Sequence, residues 1–255
     1  MDSLYARLAR HWDELFPPDS EREAFLDGLI PEKGRVLELG CGSGATAKAL
    51  ASLGRSVWAT DLDEAMVHHA KSTASGLFLN THHGFPPEGH VHFSVADMLG
   101  GMQEIHPEQA HVILCLGNTL PHLESGHQLA QFFQHAYDAL LDDGILVVQM
   151  LDYTNIRDQG ALQLPLLSAG GLEFYRSQRY DPERGRIIFE TLVKDSQTQE
   201  ERQHYLTPFT PGALTGYAAE KGFSDGQFLG NWHGEDFDGH SSWFVALFRK
   251  KVRES

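Results

Sequence analysis

The sequence has few cysteines and no long apolar run, and both features narrow the class of protein. Only Cys41 and Cys115 are cysteines among 255 residues. Two thiols are too few for a disulfide framework, which favours a reduced, cytoplasmic setting. No stretch approaches the roughly 18 uninterrupted apolar residues of a membrane span, and no apolar run of a signal peptide follows Met1. We therefore expect a cytoplasmic protein with no membrane partner.

Positive charge and metal-binding motifs are also scarce. The chain carries 20 Lys and Arg against 35 Asp and Glu, a net charge of −15, which disfavours a nucleic-acid partner. There are 15 histidines but no His-Glu-x-x-His or Cys-x-x-Cys motif. The two side chains of each adjacent histidine pair point in different directions on a helix or a strand, so we expect no metal site.

Strand-like and helical segments alternate through the first 150 residues. Short apolar runs at 35–39, 57–60, 91–95, 111–116 and 145–150 predict buried strands, and segments 45–53, 64–72 and 128–141 predict helices. This alternation predicts an α/β fold, a doubly wound Rossmann-like sheet with helices on both faces.

Two further segments differ from that alternation. Residues 4–16 have helical spacing, and residues 170–206 contain strand-like runs around a turn at 181–185. A helix at 210–221 and a strand at 243–249 follow. We expect residues 1–169 and 207–255 to form one domain. Residues 170–206 form an antiparallel β insertion before the last helix, a candidate substrate cover.

A glycine-rich loop follows the first predicted strand. The run Glu38-Leu39-Gly40-Cys41-Gly42-Ser43-Gly44 turns from a strand into a helix, where free N–H groups and absent side chains admit a ligand. The spacing satisfies both the relaxed dinucleotide fingerprint and the adenosylmethionine loop. Asp61, about 20 residues on, suits the ribose of either cofactor. Asp97 suits the adenine amino group of adenosylmethionine better, and an alternative is that it caps a helix.

The sequence resembles the class I S-adenosylmethionine-dependent methyltransferases from Val36 to Met150. The resemblance rests on the glycine loop and on four later motifs: Thr60-Asp61-Leu62-Asp63-Glu64-Ala65-Met66, Ala96-Asp97-Met98, Leu116-Gly117-Asn118-Thr119-Leu120-Pro121-His122-Leu123, and Leu141-Asp142-Asp143-Gly144-Ile145-Leu146-Val147-Val148. Two segments, the motif from Leu116 to Leu123 and the run Leu151-Asp152-Tyr153, are similar to the small-molecule branch that includes glycine and sarcosine N-methyltransferases. That branch also carries an antiparallel insertion before its last helix.

The resemblance implies S-adenosyl-L-methionine as cofactor and assigns roles to residues. Gly40 and Gly42 line the methionine moiety, Asp61 holds the ribose, and Leu62 packs on the adenine. Asp97 and the Met98 backbone read the adenine edge, and the Leu116 carbonyl takes the cofactor ammonium. Tyr5 and Trp12 resemble the aromatic pair of an N-terminal lid. The complete set of expected cofactor-binding residues is Tyr5, Glu38, Gly40, Cys41, Gly42, Asp61, Leu62, Met66, Asp97, Met98 and Leu116.

Methyl transfer needs alignment and water exclusion more than a catalytic dyad. Asn118, His122 and Tyr153 follow strand ends on the ligand side, so we expect them to border the acceptor pocket. A local structural role is the alternative for His122. The Asn/Asp-Pro-Pro-Tyr/Phe motif of DNA methyltransferases is absent.

We therefore expect methyl transfer to a small molecule, an amine ahead of an oxygen acceptor, by a monomer or homodimer. The alternatives are an NAD(P)-dependent oxidoreductase and a non-catalytic adenosylmethionine-binding protein.

Overall fold

A computed structural model describes residues 4–81, 84–106, 108–154, 156, 160–224 and 226–251 of the chain. Its helices are α1 (Leu4–Ala9), α2 (Trp12–Leu15), α3 (Ser20–Leu29), α4 (Ala45–Ser52), α5 (Glu64–Thr73), α6 (Met98–Glu104), α7 (Gly126–Ala139) and α8 (Pro211–Lys221). Its strands are β1 (Arg35–Leu39), β2 (Ser56–Asp61), β3 (His90–Val95), β4 (Ala110–Cys115), β5 (Leu140–Leu151), β6 (Ala161–Gln163), β7 (Leu167–Ala169), β8 (Leu172–Asp181), β9 (Arg186–Lys194), β10 (Gln199–Leu206), β11 (Gln227–Leu229) and β12 (Trp243–Arg249).

The main sheet is mostly parallel and confirms the predicted fold class. Within the described ranges it has seven strands in the order β3-β2-β1-β4-β5-β12-β11. Strands β1 to β5 pair in parallel, and β12 runs antiparallel to both of its neighbours. The chain order reverses between β1 and β4, the place where such sheets bind ligands at the carboxyl ends of their strands.

Burial on both faces explains why the central strands are apolar throughout. Leu37 and Leu39 of β1 pack into one hydrophobic cluster, and Val36 of the same strand packs into the cluster on the other face. A parallel sheet covered by helices on both sides requires this pattern, because neither face meets water. The buried sheet holds the loops at its edge in fixed positions.

A second, antiparallel sheet follows β5. It has the order β10-β9-β8-β6, with β7 also paired to β8. It starts at Ala161, earlier than the expected residue 170, because two three-residue strands join the edge of β8. Strands this short carry no readable alternation in the sequence, so the sequence predicts only the longer strands.

The N-terminal segment forms two short helices where the spacing predicts one continuous helix. Helix α1 contacts α5 of the main domain, and α2 contacts β7 of the second sheet. Leu4, Leu8 and Leu15 pack with Leu172, Phe174 and Val193 of the second sheet in a separate apolar cluster. The segment thus lies between the two sheets, and residues 4–16 are called the lid below.

Among the helices of the described residues, none combines the length and apolar character needed to cross a membrane.

Candidate active site

The candidate site lies along the carboxyl-terminal edge of the main sheet. The glycine loop follows β1, Asp61 ends β2, Asp97 follows β3, Asn118 follows β4 and Tyr153 follows β5. Successive parallel strands deliver these side chains to one edge. The sheet therefore brings the sequence-predicted residues to one region.

The glycine loop depends on backbone conformations that other residues rarely adopt. Gly40, Gly42 and Gly44 have φ values of 72°, 55° and 74°, in the left-handed region that favours glycine. The N–H groups of Gly40 and Cys41 both donate to the Thr60 carbonyl, at 2.8 and 2.9 Å. A Cβ on Gly42 would stand 3.3 Å from Trp12 Nε1. The loop is thus held on β2, with its N–H groups at the start of α4 and the lid close above it.

Asp61 closes the loop against β2. Its Oδ2 accepts the Gly42 N–H at 2.8 Å and its Oδ1 accepts the Asp63 N–H at 2.9 Å. Burial raises the pKa of Asp61, and these two backbone donors oppose that rise. The carboxylate is therefore held in one orientation beside Gly42.

Glu38 lies beneath the loop and is buried. Burial raises its pKa to about 7, while Arg22 and the Ala47 N–H oppose the rise. Its Oε2 is buried and has no hydrogen-bond partner among the described residues. Cys41 is also buried, and burial raises the pKa of its thiol well above the usual range. The thiol therefore stays protonated and is no nucleophile.

The lid is fastened to the glycine loop and to α4. The Ser43 hydroxyl donates to Asp13, and Lys48 Nζ lies 3.8 Å from the other Asp13 oxygen. The rings of Tyr5 and Trp12 are 6.0 Å apart. Burial is the main cause that raises the pKa of Tyr5, and the negative charges of Asp61 and Asp63 raise it further. The predicted aromatic pair thus lies next to the loop and Asp61.

The far end of the edge carries an exposed apolar surface. Leu62 is 73% exposed and Val95 is 48% exposed. Asp97 is the N-cap of α6, and its Oδ1 accepts the N–H groups of Leu99 and Gly100. The capping alternative for Asp97 is therefore confirmed; that its Oδ2 reads an adenine stays a prediction. Met98 is half-buried in the first turn of α6, and Met66 is buried on α5.

The loop after β4 is tightly bonded to itself and to β5. The Leu116 carbonyl accepts the Thr119 hydroxyl at 2.7 Å, and the Asn118 N–H donates to the Gln149 carbonyl at 3.2 Å. Asn118 has a φ of 65°, which is uncommon for a residue other than glycine. The Leu116 carbonyl also accepts the Thr119 N–H at 3.3 Å, so both hydrogen bonds that it accepts come from Thr119.

Asn118 and Tyr153 form a buried polar pair. The Tyr153 hydroxyl donates to Asn118 Oδ1 at 2.9 Å and lies 2.7 Å from Asn118 Nδ2, while the Leu151 N–H also donates to Oδ1. Tyr153 is 2% exposed, and burial raises the pKa of its hydroxyl. These two predicted residues meet, and Tyr153 and the Leu151 N–H fix the orientation of the Asn118 amide.

His122 lies at the end of a 3₁₀ turn, Leu120–His122. It does not share a helical face with Asn118, because Asn118 has a left-handed conformation and lies outside this turn. His122 is exposed to solvent, and desolvation of its ring lowers its pKa, with a smaller contribution from His204. The two imidazole rings are 6.3 Å apart. His204 was not singled out by the sequence, since it lies on β10, 82 positions along the chain.

No group of three or more His, Cys, Asp or Glu side chains in the described ranges is arranged to hold a metal ion.

Residues 36–144 match the family model described as a methyltransferase domain. Two curated proteins are similar over part of the chain. A putative methyltransferase YqeM of Bacillus subtilis (strain 168) is 27% identical over 150 residues, which are 56% of this chain and 54% of that protein. A glycine/sarcosine/dimethylglycine N-methyltransferase of Actinopolyspora halophila is 29% identical over 155 residues, 58% of this chain and 26% of that protein. The chain thus spans about half of the first relative and a quarter of the second.

Solved structures share the whole fold. The CcbJ methyltransferase of Streptomyces caelestis superposes with a TM-score of 0.79 at 21% identity, covering 99% of this chain and 100% of that one. The sugar N-methyltransferase KedS8 of Streptoalloteichus sp. ATCC 53650 has a TM-score of 0.67 at 15% identity, covering 99% of this chain and 94% of that one. At these identities the likeness establishes the architecture, including the second sheet.

Proposed function

We propose that this chain, whose residues 36–144 match a methyltransferase domain, transfers the methyl group of S-adenosylmethionine to an amine nitrogen of a small molecule. The observation that carries the proposal is the joint position of the glycine loop, Asp61 and Asp97 at three consecutive strand ends. The N-methyltransferases among the similar proteins support nitrogen as the acceptor atom.

The residues present fit this cofactor. A Cβ on Gly40 would collide with Thr119 at 2.5 Å, and one on Gly42 would approach Trp12 at 3.3 Å, so Thr119 and Trp12 pack directly on the loop backbone and would lie beside a cofactor bound there. Asp61 would hold the ribose hydroxyls, and the exposed side chain of Leu62 would cover the adenine. The Leu116 carbonyl would receive the ammonium group.

The cofactor supplies an electrophilic methyl group on a sulfonium. The protein's contribution is alignment and exclusion of water. The lid covers the loop from above, and the Asn118 amide is fixed by Tyr153 and the Leu151 N–H. Because Asn118 Oδ1 already accepts these two hydrogen bonds, the group of this amide that can contact the acceptor is Nδ2, which can donate a hydrogen bond to it.

His122 is suited to accept the proton that the amine loses. Its lowered pKa keeps the imidazole neutral at pH 7, so one ring nitrogen is free to take a proton. His122 opens to solvent and can pass that proton on. This role requires the neutral ring, so activity should fall as the pH drops through the His122 pKa.

Calorimetry with purified protein tests the cofactor assignment directly. S-adenosylmethionine and its demethylated product, S-adenosylhomocysteine, should bind, and NAD⁺ and NADP⁺ should not. A methyl-release screen then compares matched amines and phenols. Failure of the sulfonium nucleoside to bind at millimolar concentration would refute the proposal, and methylation of phenols alone would refute the amine assignment.

A further inference from the structure

Two carboxylates and a buried thiol lie close to the glycine loop. Asp61, at the end of β2, accepts two backbone N–H groups, including that of Gly42 at 2.8 Å. Glu38, near the end of β1, is only 4% exposed. The charges of Glu38 and Asp61 both raise the pKa of the Cys41 thiol. The loop to which we assign the methionine moiety of the cofactor is therefore within reach of two acidic side chains.

Glu38 projects from β1 towards the helices that cover one face of the sheet. Alternate residues of a strand share a face, so Glu38 lies on the face of Val36, whose apolar cluster includes Ala47 of α4. The Ala47 N–H and the charge of Arg22 on α3 lower the pKa of Glu38, whereas Asp61 raises it. Glu38 is thus acted on by one cation and by a second carboxylate.

Glu38 and Arg22 each leave one buried polar atom without a hydrogen-bond partner among the described residues. These atoms are Glu38 Oε2 and Arg22 Nε, which is a donor. Arg22 also faces another carboxylate, since its Nη2 lies 3.9 Å from Glu23 Oε1. Buried polar groups are nearly always hydrogen-bonded in folded proteins. An ionised Glu38 would supply the acceptor that Arg22 Nε lacks, so the two unpartnered atoms are complementary.

The charge of Glu38 is poised to respond to a cation at the loop. Burial raises the pKa of Glu38 to about 7, so near that pH the neutral and ionised forms are both populated. An opposite charge nearby favours the ionised form of a carboxyl group. S-adenosylmethionine carries a positive charge on its sulfonium that S-adenosylhomocysteine lacks. The two nucleosides should therefore act differently on Glu38.

We propose that Glu38 distinguishes the cationic cofactor from its demethylated product: when S-adenosylmethionine binds, Glu38 releases its proton to solvent and accepts a hydrogen bond from Arg22 Nε, and with S-adenosylhomocysteine it keeps the proton. This inference rests on the proposed function. Glu38 is a specificity-determining residue that acts through its charge. Once the methyl group has been transferred, the sulfonium charge is gone and Glu38 takes up a proton again, so the site loses its added affinity for the nucleoside.

Proton counting tests this coupling directly. Calorimetry at pH 7, in buffers that differ in their enthalpy of ionisation, gives the number of protons released on binding. A pKa that falls from about 7 to about 6 releases about 0.4 proton at this pH. With S-adenosylmethionine, the wild type should therefore release about 0.4 proton more than Glu38→Gln does. With S-adenosylhomocysteine, the two proteins should release the same number.

The affinities of the two nucleosides provide a second measurement. Below the pKa of the free protein, binding of the cation must remove a proton, and this cost disappears as the pH rises. From pH 5.5 to 7.5, the preference of the wild type for S-adenosylmethionine over S-adenosylhomocysteine should rise by roughly threefold or more relative to that of Glu38→Gln. The titrations of the nucleosides themselves cancel in this comparison.

Glu23→Gln is the matched control, because it makes the same chemical change beside the same arginine. Glu23 lies on α3 and is not among the groups that act on Glu38, so this variant should keep the proton release of the wild type. Arg22→Gln removes a charge that lowers the pKa of Glu38, so the rise in preference should move to higher pH. Binding of S-adenosylhomocysteine shows that each variant is folded.

Three outcomes would overturn the inference: equal proton release by the wild type and Glu38→Gln with S-adenosylmethionine, a preference with the same pH dependence in both proteins, or loss of the proton release in Glu23→Gln. A profile that Arg22→Gln leaves unmoved would refute the part assigned to Arg22. If Glu38→Gln does not fold, the wild type decides, since equal proton release with the two nucleosides would refute the coupling. If neither nucleoside binds to the wild type, the proposed function fails instead.

Discussion

Replacing Gly42 by alanine separates the conformational role of the glycine loop from its ligand role. Gly42 has a φ of 55°, and an alanine forced into that left-handed region costs about 1–2 kcal/mol. For a chain of this length that corresponds to a fall in Tm of roughly 2–8 °C. In addition, the new Cβ would stand 3.3 Å from Trp12 Nε1, inside the space that a cofactor needs above the loop.

Gly54→Ala is the matched control for this experiment. Gly54 has a φ of 90° and nothing within 4 Å of the position of its missing Cβ, so the substitution carries backbone strain alone. Both variants should lose similar stability in thermal unfolding. Calorimetry should show S-adenosylhomocysteine binding at least tenfold weaker in Gly42→Ala, about 1.4 kcal/mol, and unchanged within twofold in Gly54→Ala. Equal affinities of the two variants would refute the assignment of the loop as the cofactor site.

Two further predictions concern pH. His204→Gln removes one of the two causes that lower the pKa of His122, so the pKa of His122 should rise. The acid limb of the kcat/KM profile, measured from pH 5 to 8, should therefore move to higher pH. An acid limb that does not move would exclude His122 as the group that titrates. Glu38 has a folded pKa of about 7 against 4.5 for the free side chain, so its burial costs nothing below pH 4.5 and most above pH 7. The Tm of Glu38→Gln should therefore match that of the wild type near pH 4.5 and exceed it increasingly up to pH 8. A difference in Tm between the two proteins that does not vary with pH would contradict the cost of burying the Glu38 carboxylate.

The main sheet and its glycine loop could be predicted from sequence because their signals are local. Fully buried parallel strands such as β1 are continuous apolar runs, and the loop's glycines follow directly. The positions of Asp61 and Asp97 at strand ends could be predicted in the same way. Helix α6 and strand β11 were missed, since the first contains two glycines and the second has three residues.

The acceptor side could not be predicted in the same way because its contacts join distant parts of the chain. Arg176 and Arg179 lie three positions apart on β8 and therefore on opposite faces, but the sequence does not show which face is turned towards the lid. The partnership of His122 with His204 depends on how β10 is fastened to the loop after β4. Likewise, the Asp13–Ser43 bond that fastens the lid joins residues with no shared motif.

The lid has a kinetic consequence, because this one short segment lies against both the glycine loop and the second sheet. Trp12 stands over Gly42, and Phe16, with its ring 4.6 Å from that of Trp12, covers Arg176. Trp12 begins α2 and Phe16 is its C-cap, so withdrawing this helix would withdraw both rings. Spent nucleoside and methylated product should therefore depart through a single opening event, whose frequency would set the ceiling on turnover however fast the chemistry is.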